Sequence, residues 1–445
     1  MPAKPTKPKE QHNKTPQTEN DSSGLSRRQF TALAAATAAT GVLYSPSVAR
    51  AAKPNVVVIG GGAGGGTAAR YIAKDSNGGV NVTLIEPSRR YYTCFYSNLY
   101  LGGFRDFESI GHSYDTLAND YGINVVHDMA AKIDKGDRTV ELVSGNKVPY
   151  DRLVVSPGID LKYDSVPGYS LAAANLMPHA WKSGTQVQRL KHMVENMKEG
   201  GTFVMIAPPN PYRCPPGPYE RISMIAHILK QKNPTAKIII LDPKEKFSKQ
   251  GLFQEGWEAH YPGMVEWIPK SIYGELQNVN PETGEITTDF DTFKADAATV
   301  IPAQTAGHIA IEADLTNDAG WCAIDPASMR STKDENIFVL GDASVASAMP
   351  KSAFSANSQA KTAAMTINNE LIGTPKFPAR YANTCWSLIA TNDGVKVGAR
   401  YEPGDGKIAV VNKFVSQPKE SPEVRQTTYE ESVAWYDGIS KDIFG

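Results

Sequence analysis

Apolar positions along the chain cluster in short unbroken runs, each followed by a glycine- or acid-bearing turn and then by a stretch with helical spacing. The first run is Val56 to Ile59, which leads through a glycine turn, Gly60 to Gly66, into a helical segment ending near Asp75. A second run, Val80 to Ile85, ends at Glu86. The rhythm returns with Thr202 to Ala207, a helical Tyr219 to Gln231, and Lys237 to Leu241 ending at Asp242. A late run, Ile337 to Leu340, ends in Gly341-Asp342. Continuous apolar runs of this length read as strands covered on both faces, and their alternation with helices predicts α/β units with parallel sheets. Two such units are predicted, the first interrupted by the second.

The N-terminal 25 residues break this pattern; they are polar and rich in Lys, Pro, Thr, Glu and Asn, which cannot bury enough apolar surface to order themselves. Ser26-Arg27-Arg28-Gln29-Phe30 follows, then an Ala/Thr-rich stretch from Thr31 to Leu43 and the small-residue site Ala49-Arg50-Ala51. That order is a twin-arginine export signal, cut near Ala51, and the expected destination is the periplasm. The apolar stretch is about 13 residues, short of the ~20 that a spanning helix needs, so no integral membrane anchor is expected. With 445 residues the chain can bury several cores, and with 46 basic and 47 acidic residues it offers no charge imbalance toward nucleic acid.

Gly60, Gly62 and Gly65 satisfy G-x-G-x-x-G, permitting a tight turn in which backbone amides and the positive helix end meet a pyrophosphate. Glu86 is spaced to accept from a ribose hydroxyl, which completes a dinucleotide site. The late segment Thr332 to Ser344, with Gly341 and Asp342, resembles the second FAD fingerprint of glutathione-reductase-like flavoproteins, in which the Asp holds the ribityl chain. Tyr150 to Gly158 resembles the crossover segment of the same fold. The turn after Ala207 differs: it reads Pro208-Pro209-Asn210-Pro211-Tyr212-Arg213-Cys214-Pro215-Pro216-Gly217-Pro218, and proline has no amide hydrogen to offer a pyrophosphate. The second unit is therefore not expected to bind NAD(P)H.

Four cysteines, Cys94, Cys214, Cys322 and Cys385, lack C-x-x-C or haem-attachment spacing, and no zinc motif accompanies them. Cys214 precedes a Pro-rich helix start, where the dipole is expected to lower a thiol's pKa. Glu220 is either a general acid or base turned toward sulfur or a solvated surface carboxylate.

Over its length after the leader, the chain resembles the flavoprotein subunit of flavocytochrome c sulfide dehydrogenase. The resemblance rests on the glycine turn, Thr83 to Pro87 (TLIEP), Tyr91 to Cys94 (YYTC), Arg213 to Arg221 (RCPPGPYER), Leu315 to Cys322 (LTNDAGWC), Ser355 to Gln359 (SANSQ) and Asn383 to Cys385 (NTC). It implies an α/β, glutathione-reductase-like flavoprotein with two dinucleotide domains and a C-terminal interface domain. The expected parts are a leader (1–51), an FAD domain in two pieces (52–165 and 295–374), a second dinucleotide-like domain (166–294) and the interface domain (375–445). It further implies FAD joined covalently to Cys94, a redox-active disulfide between Cys214 and Cys385, and sulfide as substrate, while Glu220 stays open between the two readings above. Electrons would pass to a c-type cytochrome carrying haem c on a separate subunit, forming a heterodimer. The expected cofactor-binding residues are Gly60, Gly62, Ala63, Gly65, Glu86, Cys94, Gly341, Asp342 and Lys351. Cys322 is left as an unpaired core thiol, and Trp435 is either a wall over the flavin or a core residue. Phe354 stands where the family is expected to have Tyr.

Two other readings share these features. A sulfide:quinone reductase needs a membrane-binding surface, whereas the segment from Tyr429 to Gly445 carries Glu430, Glu431, Asp437 and Asp442. In a non-catalytic FAD electron carrier the cysteine pair is structural.

Overall fold

In the computed structural model, residues 52–445 are described, and from Lys53 onward they form one unit. The twin-arginine segment and its cleavage site lie outside the described residues.

The first apolar run forms β1 (Asn55–Ile59), and the glycine turn ends where α1 (Ala63–Asp75) begins. β1 pairs in parallel with β2 (Asn81–Ile85), and β2 with β3 (Asn124–Val126). On the other side β1 pairs with β4 (Arg152–Val155), and β4 with β9 (Ile337–Val339), the late run. The sheet order is thus β9-β4-β1-β2-β3. Val56, Val57 and Val58 are at most 1% exposed, as expected when helices cover both faces of a parallel sheet.

Between β4 and β9 the chain builds a second parallel sheet. It contains β5 (Thr202–Ile206), β6 (Lys237–Asp242), β7 (Val265–Pro269) and β8 (Ala297–Val300), in the order β7-β6-β5-β8. Three helices flank the functional region. α2 (Ser97–Leu101) follows the Cys94 turn, α3 (Gly217–Lys232) starts with Pro218 where proline is best tolerated, and α4 (Gln250–His260) follows β6.

After β9, α5 (Ala353–Ile372) is capped by the Ser352 side chain, which accepts from the Ser355 amide, and is closed by Gly373 at φ +71°. A three-stranded antiparallel sheet completes the chain: β10 (Tyr381–Ala390), β11 (Asp393–Gly404) and β12 (Lys407–Val415), followed by α6 (Pro422–Phe444). This α/β architecture with an added C-terminal sheet is the fold class expected from the sequence. Inward residues of β10 alternate with half-exposed ones, so Asn383, Cys385 and Ser387 face the interior.

Candidate active site

A cavity of about 570 Å³ runs along the C-terminal ends of β1 and β2, where ligands bind in open α/β sheets. Gly60, Gly62, Ala63, Glu86, Cys94, Gly341 and Asp342 all line it. Gly60 adopts φ +93°, and a Cβ there would lie 2.4 Å from the Ser156 carbonyl oxygen. At Gly65 a Cβ would lie 1.8 Å from the Gly60 carbonyl oxygen, so only glycine lets α1 sit this close to its strand. Glu86 accepts from the amides of Gly61 and Ser88, both at 2.9 Å.

Asp342 supplies the test of cofactor fit. Its Oδ1 is buried without a hydrogen-bond partner, and its Oδ2 lies 3.9 Å from Arg213 Nη1. Burial pushes the carboxyl up, against the charges of Arg213 and Lys351. A buried acceptor aimed into a cavity that also holds a glycine cradle fits a hydroxyl-bearing dinucleotide such as FAD. Arg213 and Tyr91 also line this cavity, and the sequence reading did not single them out.

Lys351 departs from expectation. Its ammonium does not line the cavity; it donates to the carbonyls of Asp342 (2.7 Å) and Ser344 (2.8 Å) and lies 3.7 Å from the centre of the Trp321 ring. These carbonyls hold the charge on the loop after Gly341, and burial lowers its pKa to about 8. Lys351 thus braces the Asp342 loop.

A second, smaller cavity of about 90 Å³ adjoins the first, sharing Cys94, Phe95, Arg213, Ser352 and Ala353 as lining. Cys94 therefore sits on the common wall. Cys214, Cys385 and Glu220 line the smaller cavity. Cys214 occupies the left-handed region at φ +57°, an uncommon conformation for a residue with a side chain, and its amide donates to the Lys351 carbonyl at 2.8 Å. A Cβ on Gly217 would come within 2.9 Å of Cys214 Sγ, so the glycine makes room for the sulfur at the start of α3. Cys385 lies on β10, where Asn383 Nδ2 donates to its Sγ at 3.3 Å. Both residues are thiols in this structure, unbridged on one cavity.

The expectation of a lowered Cys214 pKa is reversed. Burial drives the thiol well above its usual range, the neighbouring Cys385, Glu220 and Cys94 add like charge, and Arg213 opposes them. Desolvation outweighs the helix dipole here. Glu220 is not a solvated surface acid: its carboxylate turns inward, accepting from Asn98 Nδ2 (2.8 Å) and the Leu388 amide (2.9 Å), and burial raises its pKa.

Three further polar residues escaped the sequence reading. Arg221, 1% exposed, donates to the carbonyls of His179 (2.8 Å) and Ala180 (2.5 Å). Asn98 links that guanidinium to Glu220. Lys249, ahead of α4, donates to the Cys385 carbonyl at 3.1 Å. An aromatic wall encloses the thiols: Trp386 and Trp435 lie 5.2 Å apart between ring centres, with Phe354 beside both. Trp435 thus lines the thiol cavity, and Phe354 takes part through its ring. Cys322 is a buried free thiol, raised to about 12 by burial.

The second sheet offers no comparable cradle. Asp242, at the end of β6, is where a nucleotide-binding unit presents its ribose-binding acid. Here it is fully buried and accepts from Tyr219 Oη (2.6 Å), Trp267 Nε1 (3.0 Å) and Lys244 Nζ (2.6 Å), while Phe247 stacks on Tyr219 at 3.7 Å. Among the described residues no cluster of His, Cys, Asp or Glu could hold a metal ion, and no helix is long and apolar enough to cross a membrane. The acidic C-terminal run is largely paired: Glu431 with Lys396, Asp437 with Arg105, and Asp442 with Lys361. It therefore argues against an anionic surface less strongly than its sequence suggests.

Comparison with known proteins bears on this geometry. The family described as "Sulfide dehydrogenase [flavocytochrome c] flavoprotein chain, central" matches residues 187–302, and "Flavocytochrome c sulphide dehydrogenase, flavin-binding" matches 377–444. "Pyridine nucleotide-disulphide oxidoreductase" matches 54–199. A mitochondrial sulfide:quinone oxidoreductase of Dictyostelium discoideum is 23% identical over 334 residues, 72% of each chain. The sulfide:quinone oxidoreductase of Aquifex aeolicus superposes with TM-score 0.67 at 18% identity, over 88% of this chain and 92% of that one. NDH2 of Plasmodium falciparum gives TM-score 0.66 at 10% identity, over 88% and 96%. At these identities the structural likenesses establish the fold.

Proposed function

The chain belongs to the family of flavocytochrome c sulfide dehydrogenase flavoprotein chains, and from that premise we propose that it oxidises sulfide through the Cys214 and Cys385 pair, delivering the electrons to FAD. The observation that carries this reading is the shared wall: both sulfurs line a cavity that meets the dinucleotide cavity at Cys94 and Arg213. In the oxidised pair, hydrosulfide attacks the Cys214–Cys385 disulfide; one S–S bond breaks, a new one forms, and the products are a cysteine persulfide and a cysteine thiolate. Glu220, held by Asn98 and the Leu388 amide, is the carboxylate available to take the proton when the substrate arrives as neutral hydrogen sulfide.

The glycine turn, Glu86 and Asp342 are the residues that would hold FAD, and FAD bound there would supply a two-electron acceptor able to hand electrons on singly. Cys94, at the wall between the cavities, is the residue we assign to a covalent flavin bond, as in the family resemblance. The sealed Asp242 and the proline turn favour sulfur over NADH as electron source. The acceptor we propose is a c-type cytochrome, its haem c on a partner subunit; the family descriptions favour it over a quinone. Export to the periplasm, proposed from Arg27-Arg28 and the stretch up to Ala51, suits such a partner.

Stopped-flow mixing of the flavin-loaded protein with sulfide tests the reading. Flavin bleaching is expected in the wild type and its loss, by at least a hundredfold in rate, in Cys214→Ser. Bleaching of that variant at the wild-type rate would remove the cysteine mechanism and leave the electron-carrier reading. Cytochrome c reduction faster than reduction of a soluble ubiquinone analogue is expected, and the reverse order would favour a quinone reductase.

A further inference from the structure

Lys249 stands out among side chains the sequence reading passed over. It lies in the charged run Lys244-Glu245-Lys246-Phe247-Ser248-Lys249, which reads as a solvated loop. The structure instead directs its ammonium to protein acceptors: the carbonyl of Cys385 (3.1 Å), Ser387 Oγ (2.9 Å) and the carbonyl of Val395 (3.3 Å). Ser387 and Val395 are cross-strand partners on β10 and β11, so the ammonium bridges the two strands next to Cys385. The residue itself adopts φ +61°, a conformation uncommon for a side chain as long as lysine. Its ammonium is satisfied by neutral oxygens alone; burial lowers its pKa to about 8, and the charges of Cys385, Glu220 and Cys214 act against that shift and hold the proton on.

The charges and titratable groups around Cys385 come from several elements. Glu220 and Arg221 project from α3, Cys214 and Arg213 from the proline turn, Cys94 from the turn before α2, and Tyr401 from β11. Asn383 Nδ2 donates to the Cys385 sulfur, and Ser352 Oγ holds Asn383 in place by donating to its Oδ1 at 2.5 Å. Arg221 is committed to the carbonyls of His179 and Ala180. Arg213 lies against Asp342 and donates to the Trp181 carbonyl. Lys249 is thus the cation held directly on the Cys385 backbone.

We infer that Lys249 is a positioning residue whose ammonium stabilises Cys385 as a thiolate and offsets the nearby Glu220 carboxylate whenever the cysteine pair opens. The role rests on the cysteine mechanism proposed above. Burial raises the Cys385 thiol, while Asn383 and Lys249 pull it down, so loss of the cation moves it further up.

Three variants separate charge from hydrogen bonding. Lys249→Met removes both, Lys249→Gln keeps an N–H donor without charge, and Lys249→Arg keeps both. The readout is the pH profile of Cys385 alkylation by iodoacetamide in the dithiothreitol-reduced, flavin-loaded protein, resolved by peptide mass spectrometry. Met and Gln are expected to raise the apparent Cys385 pKa by about one unit, so that alkylation below about pH 8, where the Lys249 ammonium keeps its proton, slows about tenfold, while Arg stays within about threefold of wild type. Retained flavin and a cooperative melt show that each variant is folded. A Gln variant with the wild-type profile would overturn the inference, leaving Lys249 as a clamp on the sheet; so would a Met variant that is folded and unshifted. Because alkylation needs no sulfide, a wild-type protein that fails to react with sulfide would overturn the functional reading through a separate measurement.

Discussion

Replacing Gly65 with alanine probes the geometry that makes the glycine turn a cofactor cradle. The added Cβ would lie 1.8 Å from the Gly60 carbonyl oxygen and 3.2 Å from Val58 Cγ1. Restoring an ordinary C···O separation of ~3.3 Å requires a backbone shift of about 1.5 Å. Gly60 has little freedom to give way: a Cβ there would lie 2.4 Å from the carbonyl oxygen of Ser156, the residue after β4, so its backbone is already close-packed, and its φ of +93° holds the turn in shape. The start of α1 must therefore lift from the sheet. Overpacking of this kind costs about 1–3 kcal/mol of stability. The larger effect falls on binding, because amides displaced by more than an ångström lose charge-assisted hydrogen bonds worth about 1.5–3 kcal/mol each, and loss of one reduces affinity roughly ten- to hundredfold. The assay is the ratio of flavin absorbance to protein after purification, followed by thermal melting of the flavin-free fraction. A purified variant with substoichiometric flavin and a melting temperature lowered by several degrees is expected. Gly438→Ala is the control: it lies inside α6 with no heavy atom within 4 Å of its Cβ position, and it should gain about 0.5–1 kcal/mol. Full flavin content and an unchanged melt for Gly65→Ala would refute the close-packing argument.

Two other perturbations reach different parts of the site. Cys94→Ser should release flavin into the supernatant on acid precipitation, whereas the wild-type pellet stays yellow; colour in both pellets would show that another residue holds the flavin. His179 is 4% exposed and its pKa falls to about 3, through burial first and then the charges of Arg221, Lys182 and Arg213. Its folded pKa lies below the ordinary value of 6.5, so the unfolded chain binds the extra proton and stability falls as pH drops through 6.5 toward about 3. Between pH 6.5 and 5 that linkage amounts to about 2 kcal/mol, and His179→Asn should show a correspondingly shallower loss in urea unfolding midpoints over that interval. Parallel curves for the two proteins would show that His179 does not carry the titration.

The fold was open to reading from sequence wherever a single residue type decides the local geometry. Four apolar residues ending in Gly60 can hardly be anything but a buried strand and turn, and Val56 to Ile59 indeed lies at the sheet centre. The same holds for the late strand before Gly341, legible from its apolar run and terminal acid, although its place beside β4 is known only from the fold. Properties set by three-dimensional surroundings were hidden. The pKa of Cys214 depends on desolvation and on Cys385, 171 positions away in the chain, so a helix-start argument predicts the wrong direction. Lys351 is one cation between two polar destinations, and only the fold reveals that the Asp342 and Ser344 carbonyls lie closer than the cofactor cavity. Lys249 had no local signal, because a lysine in a charged loop looks the same whether its ammonium meets water or the backbone of Cys385. Paired acids on α6 misled in the opposite sense, since a run of carboxylates suggests a repelling surface until Lys396, Arg105 and Lys361 are found beside them.

The second sheet explains why the site turns toward sulfur. A nucleotide-binding unit needs both a donor-rich turn and a free acid after its second strand, and each has been altered here in a way that supports the other. The turn replaces amides with prolines and carries Cys214 to the cavity wall, while Tyr219, one residue after Pro218, swings from the start of α3 to occupy the acid at Asp242. Trp267 and Lys244 complete the enclosure, and Phe247 stacks over the tyrosine. Restoring glycines to the turn would therefore not restore a nicotinamide site, because the acid would remain fully hydrogen-bonded inside an aromatic cluster. The same loop and helix that enclose Asp242 deliver Cys214 and Glu220 to the thiol cavity, so under the function proposed above one βα turn accounts both for the missing nicotinamide cradle and for the placement of the sulfur chemistry.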